Sequence, residues 1–139
     1  MNQKGLQEKL VRYQILESRV KALIKRRDLL ITKMFEIETT LSTIEEIRKK
    51  KEKDISLPLG SGVHVLGTLK KTKKMIVELG ANIAIEETGE RTKKILEKRK
   101  NVLNKGLQAV EREITGLSNE LLKLEPEIRA MIEKSKTAG

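Results

Sequence analysis

Cysteine and tryptophan are both absent from the 139 residues. Without cysteine there is no disulfide, thiolate metal site or cysteine nucleophile, a composition that suits the reducing cytosol. Aromatic bulk is nearly missing as well, with Tyr13 and Phe35 as its only members. A compact core of ordinary type leans on such residues, so this chain must bury its apolar surface differently. His64 is the single histidine and has no cysteine or second histidine near it in sequence, which argues against a metal site. No apolar run approaches the ~18 residues that span a bilayer. Met1 to Leu10 is polar and lacks a signal-peptide apolar region. A cytoplasmic protein without a membrane anchor is expected. Gly60-Ser61-Gly62 is too short for a phosphate loop and is not followed by a helix-opening Lys-Ser/Thr pair. The carboxylates are spread as helix-surface pairs with lysine, such as Glu45/Lys49 and Glu90/Lys94 at i,i+4, and suggest no cleft joining an acid to a base. Neither an enzyme nor a cofactor is expected.

What is abundant is charge, 36% of residues, together with Leu, Ile and Val. The net charge is +10, divided as +5 over residues 1–55, +1 over 56–89 and +4 over 90–139. Such an excess attracts nucleic acid or an acidic protein surface, or merely solvates a helix exterior. Interleaved acidic residues favour the last reading.

The apolar residues are regularly spaced, which distinguishes the chain from a disordered one. No Pro or Gly interrupts Leu6 to Lys51. A heptad through this stretch reads Tyr13, Leu16, Val20, Leu23, Arg27, Leu30, Met34, Ile37, Leu41, Ile44, nine of ten apolar, the pattern of a coiled-coil seam. Arg27 either fixes register at a cost or snorkels out of the seam; snorkelling is favoured. From Glu90 the same alternation returns as Leu96, Lys100, Leu103, Leu107, Val110, Ile114, Leu117, Leu121, Leu124, Ile128, Met131, ten of eleven apolar. Thr88 is a candidate N-cap. Pro126 lies off the seam and should kink or loosen the last turns. Two seams of about 45 residues, each about 67 Å long as a helix, fold back most simply as an antiparallel hairpin.

Between them, Leu57 to Gly89 holds one Pro, five Gly and many β-branched residues. Leu57-Pro58-Leu59 reads as a short extended piece, Gly60-Ser61-Gly62 as a turn, and Val63 to Leu69 as a strand. A polar turn at Lys70 to Lys73 precedes strands at Lys74 to Leu79 and Asn82 to Glu86. These are two consecutive hairpins. Val63, Val65 and Leu69 alternate with Leu66, and Met75, Val77 and Leu79 alternate with Ile76, so both faces of a four-stranded sheet would be apolar. Ile83 and Ile85 add to them. Helices leading away cannot cover both faces, and open edges of this kind invite pairing. Other copies or homologous chains are expected to supply the missing strands, with closure into an intersubunit β-barrel removing the edges. The fold class is α+β, one domain over 1–139: a coiled-coil helix at 1–55, an oligomerisation segment at 56–89 and a second helix at 90–139.

The order helix, two hairpins, helix resembles the α-class subunits of prefoldin of the archaeal type. The resemblance rests on Leu57-Pro58-Leu59-Gly60-Ser61-Gly62, on Val77-Glu78-Leu79-Gly80-Ala81-Asn82-Ile83-Ala84-Ile85-Glu86, and on Leu124-Glu125-Pro126. It covers nearly the whole chain, and two hairpins suit the α class because β-class subunits carry one. Ser61 and Asn82 depart from the smaller residues usual there, and the positive charge departs from the family's common acidity. The resemblance implies a hexamer of two α-class and four β-class subunits that holds unfolded client polypeptides without nucleotide and hands them to a group II chaperonin. The client surface is then expected at the ends of the helices, where Leu6, Leu10, Val11 and Ile15 face Ile128, Met131 and Ile132. Each of these residues either contacts a client or completes the coiled-coil core. Met is adaptable on such surfaces.

Two other functions compete. Arg48-Lys49-Lys50-Lys51 and Lys98-Arg99-Lys100 could form one nucleic-acid patch, although base stacking lacks aromatics and no reading motif is present. A purely structural, filament-forming homo-oligomer is the third reading.

Overall fold

The computed structural model describes residues 2–49, 52–70 and 74–137. The element order is α1 (Asn2–Lys49), β1 (Glu52–Gly60), β2 (Val63–Lys70), β3 (Lys74–Gly80), β4 (Ile83–Thr88) and α2 (Gly89–Thr137). The chain forms two compact units, Met1–Thr32 with Leu103–Gly139, and Lys33–Val102. The first is a pair of helical segments, and the second carries both hairpins.

In the helix-pair unit the seam closes as its spacing dictates. Leu16, Leu124 and Ile128 are buried together, and Leu6, Tyr13, Leu117 and Leu121 pack against them. The pairing is antiparallel, since Met131 Cε lies 3.5 Å from where a side chain would start at Gly5, and Leu30 Cδ1 lies 3.9 Å from the same point at Gly106. Arg27 leaves the seam and turns its guanidinium to Asp28 Oδ1 at 3.3 Å. Snorkelling is therefore its role. Pro126 does not end α2, which continues to Thr137. Its ring is on the exposed face, while Leu124 and Ile128 on either side stay buried.

In the hairpin unit, Ile44 and Leu96 are the buried seam residues. Lys100, the polar break in the second seam, places Nζ 2.8 Å from Glu38 on α1. Thr88 caps α2 as its position suggests: Oγ1 accepts the Arg91 amide at 3.2 Å, relieving one orphan donor of the first turn. Glu45 and Glu90 do not pair with Lys49 and Lys94. Glu45 is taken by Lys93 and Arg48, and Glu90 by Arg48. The nearby partner helix offers them cations that a single-helix reading leaves out.

The four strands are two separate two-stranded sheets, β1-β2 and β3-β4. The single four-stranded sheet expected from the sequence does not form. β1 is also longer than expected and begins at Glu52, inside the stretch read as helical. There Glu52, Lys53, Asp54 and Ile55 pair with Lys70, Leu69, Thr68 and Gly67, so cross-strand pairing overrides a charged, helix-like local sequence. Lys70, read as the start of a polar turn over 70–73, belongs to β2; residues 71–73 lie outside the described residues.

The two hairpins repeat one design 20 positions apart. Leu59-Gly60-Ser61-Gly62-Val63 aligns with Leu79-Gly80-Ala81-Asn82-Ile83. Both pair the glycine with the β-branched residue across a two-residue loop, and both have a register shift just before the glycine. The loop residues have positive φ in each case: Ser61 51° and Gly62 78°, then Ala81 51° and Asn82 60°. That is the backbone of a type I′ hairpin turn. Asn tolerates it and Gly adopts it freely, whereas Ser61 and Ala81 occupy it at a cost.

Candidate client-binding and assembly surfaces

The residues assigned to client binding separate into two sets. Leu6, Ile128 and Met131 belong to the closed seam, with Ile128 buried and the other two half-buried. Leu10, Val11, Ile15 and Ile132 stay exposed, Ile15 to 62%. The separation follows helix geometry, because Leu10, Val11 and Ile15 lie off the seam azimuth. Val11 and Ile15 are one turn apart on one face of α1. They line a surface groove of about 690 Å³ together with Leu16, Gly5 and the charged rim of Glu8, Lys9 and Arg12. Lys9 is held at this rim by Glu127 on α2, Nζ to Oε2 at 2.8 Å, and Arg12 by Glu120 at 3.3 Å. The bond from Lys9 holds the Glu127 carboxyl below the usual carboxylate range.

The assembly residues are distributed by strand register. In the first hairpin the half-buried face is Lys53, Ile55, Gly67 and Leu69, while Val63, Val65 and Leu66 are exposed. In the second, Val77 is buried to 6% exposure. Met75 and Ile85 are half-buried on the same face, and Ile76, Leu79 and Ile83 are exposed. The second hairpin is anchored to α2. Met75 Cε lies 3.6 Å from the side-chain position of Gly89, and Arg99 on α2 donates to the Glu78 carbonyl at 2.7 Å. Leu66 and Ile76, on the opposite faces, are 84% and 74% exposed. Leu57 and Leu59 are exposed as well and were missing from the expected set. The 20-residue repeat is the signal that finds Leu59, since it matches Leu79.

The basic runs proposed as a nucleic-acid patch are largely engaged. Arg48 pairs with Glu45 and Glu90, Arg99 with a carbonyl, and Lys100 with Glu38. Lys50 and Lys51 lie outside the described residues. No described helix is long and apolar enough to cross a membrane.

A helical pair with apolar residues off its seam, and separate hairpins whose outward faces carry Leu and Ile, define an assembling coiled-coil subunit. The chain belongs to the prefoldin subunit family, whose description "Prefoldin subunit" matches residues 16–134. It is 30% identical over 120 residues to prefoldin subunit alpha of Methanosarcina acetivorans, covering 84% of each chain. To prefoldin subunit alpha of Pyrococcus horikoshii it is 29% identical over 100 residues, 70% of this chain and 68% of the relative. In fold it matches filamentous prefoldin of Methanocaldococcus jannaschii, solved by cryo-electron microscopy, with a TM-score of 0.70. That match has 23% identity and covers 82% of this chain and 95% of the other. The family is one of chaperone subunits.

Proposed function

We propose that this chain is the α-class subunit of an oligomeric holding chaperone that works without nucleotide in the cytoplasm. The observation that carries the proposal is the separation at the helix-pair unit's open end. A closed seam of Leu6, Leu16, Leu124 and Ile128 fixes the helices, while Leu10, Val11, Ile15 and Ile132 remain in water. Apolar side chains that stabilise nothing within the chain are available to an unfolded polypeptide. The charged rim of Glu8, Lys9 and Arg12 limits their self-association. One such groove binds weakly, and several grooves in one assembly bind usefully by avidity. The exposed hairpin faces supply that assembly by accepting strands and apolar faces from β-class subunits or from further copies. Intersubunit barrels remove the open edges that each two-stranded sheet leaves. Held clients then pass to a group II chaperonin.

The experiment is aggregation suppression of a denatured client by the assembled protein. Val11→Ser with Ile15→Ser should lower suppression severalfold at unchanged assembly mass, and removal of residues 1–11 and 129–139 should lower it further. Full activity in both variants at unchanged mass rejects the groove as the holding surface. Native mass measurement of the chain alone, and with β-class subunits, decides between a self-assembled form and the heterohexamer of two α and four β chains.

A further inference from the structure

Opposite its seam, α1 of the helix-pair unit carries a second row at helical spacing. Val11, Ile15, Ser18, Ala22, Lys25 and Leu29 stand four and three positions apart in turn, so they line one face. All six are exposed, with Val11 at 49%, Ile15 at 62% and Leu29 at 55%. Four of the six are apolar, and Ser18 is small. The outward face of a paired helix is ordinarily polar. That of α2 is so: Lys105, Gln108, Arg112, Thr115, Asn119 and Leu122 follow the same alternation with one apolar residue among them.

Residues 11–29 hold two carboxylates, Glu17 and Asp28. Each stands about 100° or more round the helix from the middle of the row, and they are taken by Lys21 and Arg27. Lys25 in the row and Arg26 beside it have no ion-pair or hydrogen-bond partner among the described residues. Carboxylates return to this face at Glu8 and Glu36, which set the limits of the row.

We propose, resting on the holding function above, that this face docks amphipathic helical segments of client polypeptides that carry acidic flanks. A partner helix presents side chains at the same intervals, about 6 and 4.5 Å along the axis, that the row offers. It also satisfies its own backbone, whereas an extended segment laid on a helix face buries N–H and C=O groups without partners. Ser18 and Ala22 at the centre admit an approach of ~8 to 10 Å between helix axes, and Val11, Ile15 and Leu29 supply apolar contact at the two ends. Lys25 and Arg26 then meet acidic residues at the partner's edge, with the lysine stem lying along the contact. Denatured chains retain nascent helices of this kind. At ~1.5 Å per residue the row is about 27 Å long and takes about 18 residues of helix. Val11 and Ile15 join it to the groove.

The test uses the assembled full-length protein, fluorescence anisotropy and a labelled peptide of about 21 residues with Leu at heptad a and d, Glu at e and g, and Ala elsewhere. The same composition rearranged so that Leu falls at every second position should bind roughly tenfold more weakly. A22Q/L29Q should also weaken binding roughly tenfold, whereas L122Q, an exposed leucine on the outward face of α2, should stay within about twofold of the parent. K25E/R26E should reverse the charge preference and favour the peptide with Lys in place of Glu. If A22Q/L29Q loses helix by circular dichroism, Leu29→Gln alone carries the comparison, expected to weaken binding about threefold. Equal affinity for the two leucine patterns, or parental affinity in A22Q/L29Q, overturns the proposal. If Val11→Ser with Ile15→Ser lowers aggregation suppression while A22Q/L29Q binds the peptide as the parent does, the groove stands and the outward face fails. Tighter binding by a peptide of this chain's own residues 8–30 assigns the face to a second copy and overturns the proposal too.

Discussion

Lys9 and Glu127 are 118 positions apart in sequence, yet the lysine Nζ donates to the carboxylate at 2.8 Å. The pair belongs to a pattern with a direction. In the helix-pair unit α1 supplies the cations Lys9, Arg12 and Arg19, and α2 supplies Glu127, Glu120 and Glu113. In the hairpin unit Glu45 and Glu38 of α1 meet Lys93 and Lys100 of α2, with the signs reversed, and Arg48 of α1 with Glu90 of α2 is the exception. Pairing of α1 with a copy of α1 in the same direction would set Arg12 and Arg19 against themselves. The charges therefore favour the intramolecular antiparallel partner over a parallel homodimer, a use of charge for specificity rather than raw stability.

Acid should loosen this pairing. The hydrogen bonds from Lys93 and Lys9, reinforced by their charges, hold the Glu45 and Glu127 carboxyls below their usual value of 4.5. Both groups release their protons at lower pH in the folded chain than in the unfolded one. Their contribution is thus fully present above about pH 4.5 and is lost as pH falls through the lower folded values. The thermal midpoint should drop through that acid window. K9E should lower it at neutral pH and K9E/E127K should restore it. A melting profile flat from pH 6 to 3 would contradict the role given to these pairs.

The seam carries the stability of the helix-pair unit. Leu124→Ala removes a buried side chain from the cluster with Leu16 and Ile128 and should cost about 2 to 4 kcal/mol. Leu122→Ala, two residues away and 67% exposed, should change stability by less than about 0.5 kcal/mol. Thermal melts of the two variants give a direct comparison.

Much of this was readable beforehand. Heptad spacing located the residues that close, since every apolar seam position from Tyr13 to Ile44 and from Leu96 to Met131 is buried or half-buried. Thr88 announced its helix start, and Gly60 and Gly80 announced turns. Other features depend on partners that local sequence does not display. Glu45 could be matched to Lys49 by spacing alone, but Lys93 wins it across the helix pair. Glu52 to Ile55 reads as charged helix until Lys70 to Gly67 pair with it. The division of the end residues into Leu6 and Ile128 inside, Val11 and Ile15 outside, follows azimuth. It was legible in outline, because Val11 and Ile15 already lay off the seam.

The two hairpin turns make a prediction about strain. Ala81 adopts a φ of 51°, which costs a residue with a Cβ roughly 1 kcal/mol. Replacing Ala81-Asn82 by Asn-Gly, the preferred type I′ pair, should raise stability by about 1 kcal/mol. Gly60→Ala, at a φ of 108° with nothing within 4 Å of the added carbon, should lower it by at least about 1 kcal/mol through backbone strain alone. Denaturant midpoints of the two variants should move in opposite directions.

Assembly and folding should respond differently to substitutions in adjacent residues of β3. Val77 is 6% exposed within its own chain, whereas Ile76 beside it is 74% exposed. Val77→Ala therefore removes packing from the subunit itself and should cost about 1 to 2 kcal/mol. Ile76→Asp, like Leu66→Asp on the first hairpin, alters a face that the chain leaves in water. Its effect on the subunit's own stability should be within about 0.5 kcal/mol. In an assembly that covers these faces, however, each aspartate must be buried without a partner, which is far more costly. Native mass measurement should then show Ile76→Asp and Leu66→Asp reduced to smaller species with helix content intact, while Val77→Ala keeps its assembled mass and melts earlier. Parental mass in both aspartate variants would show that these outward faces remain in solvent after assembly, and that subunits join through the strand edges alone.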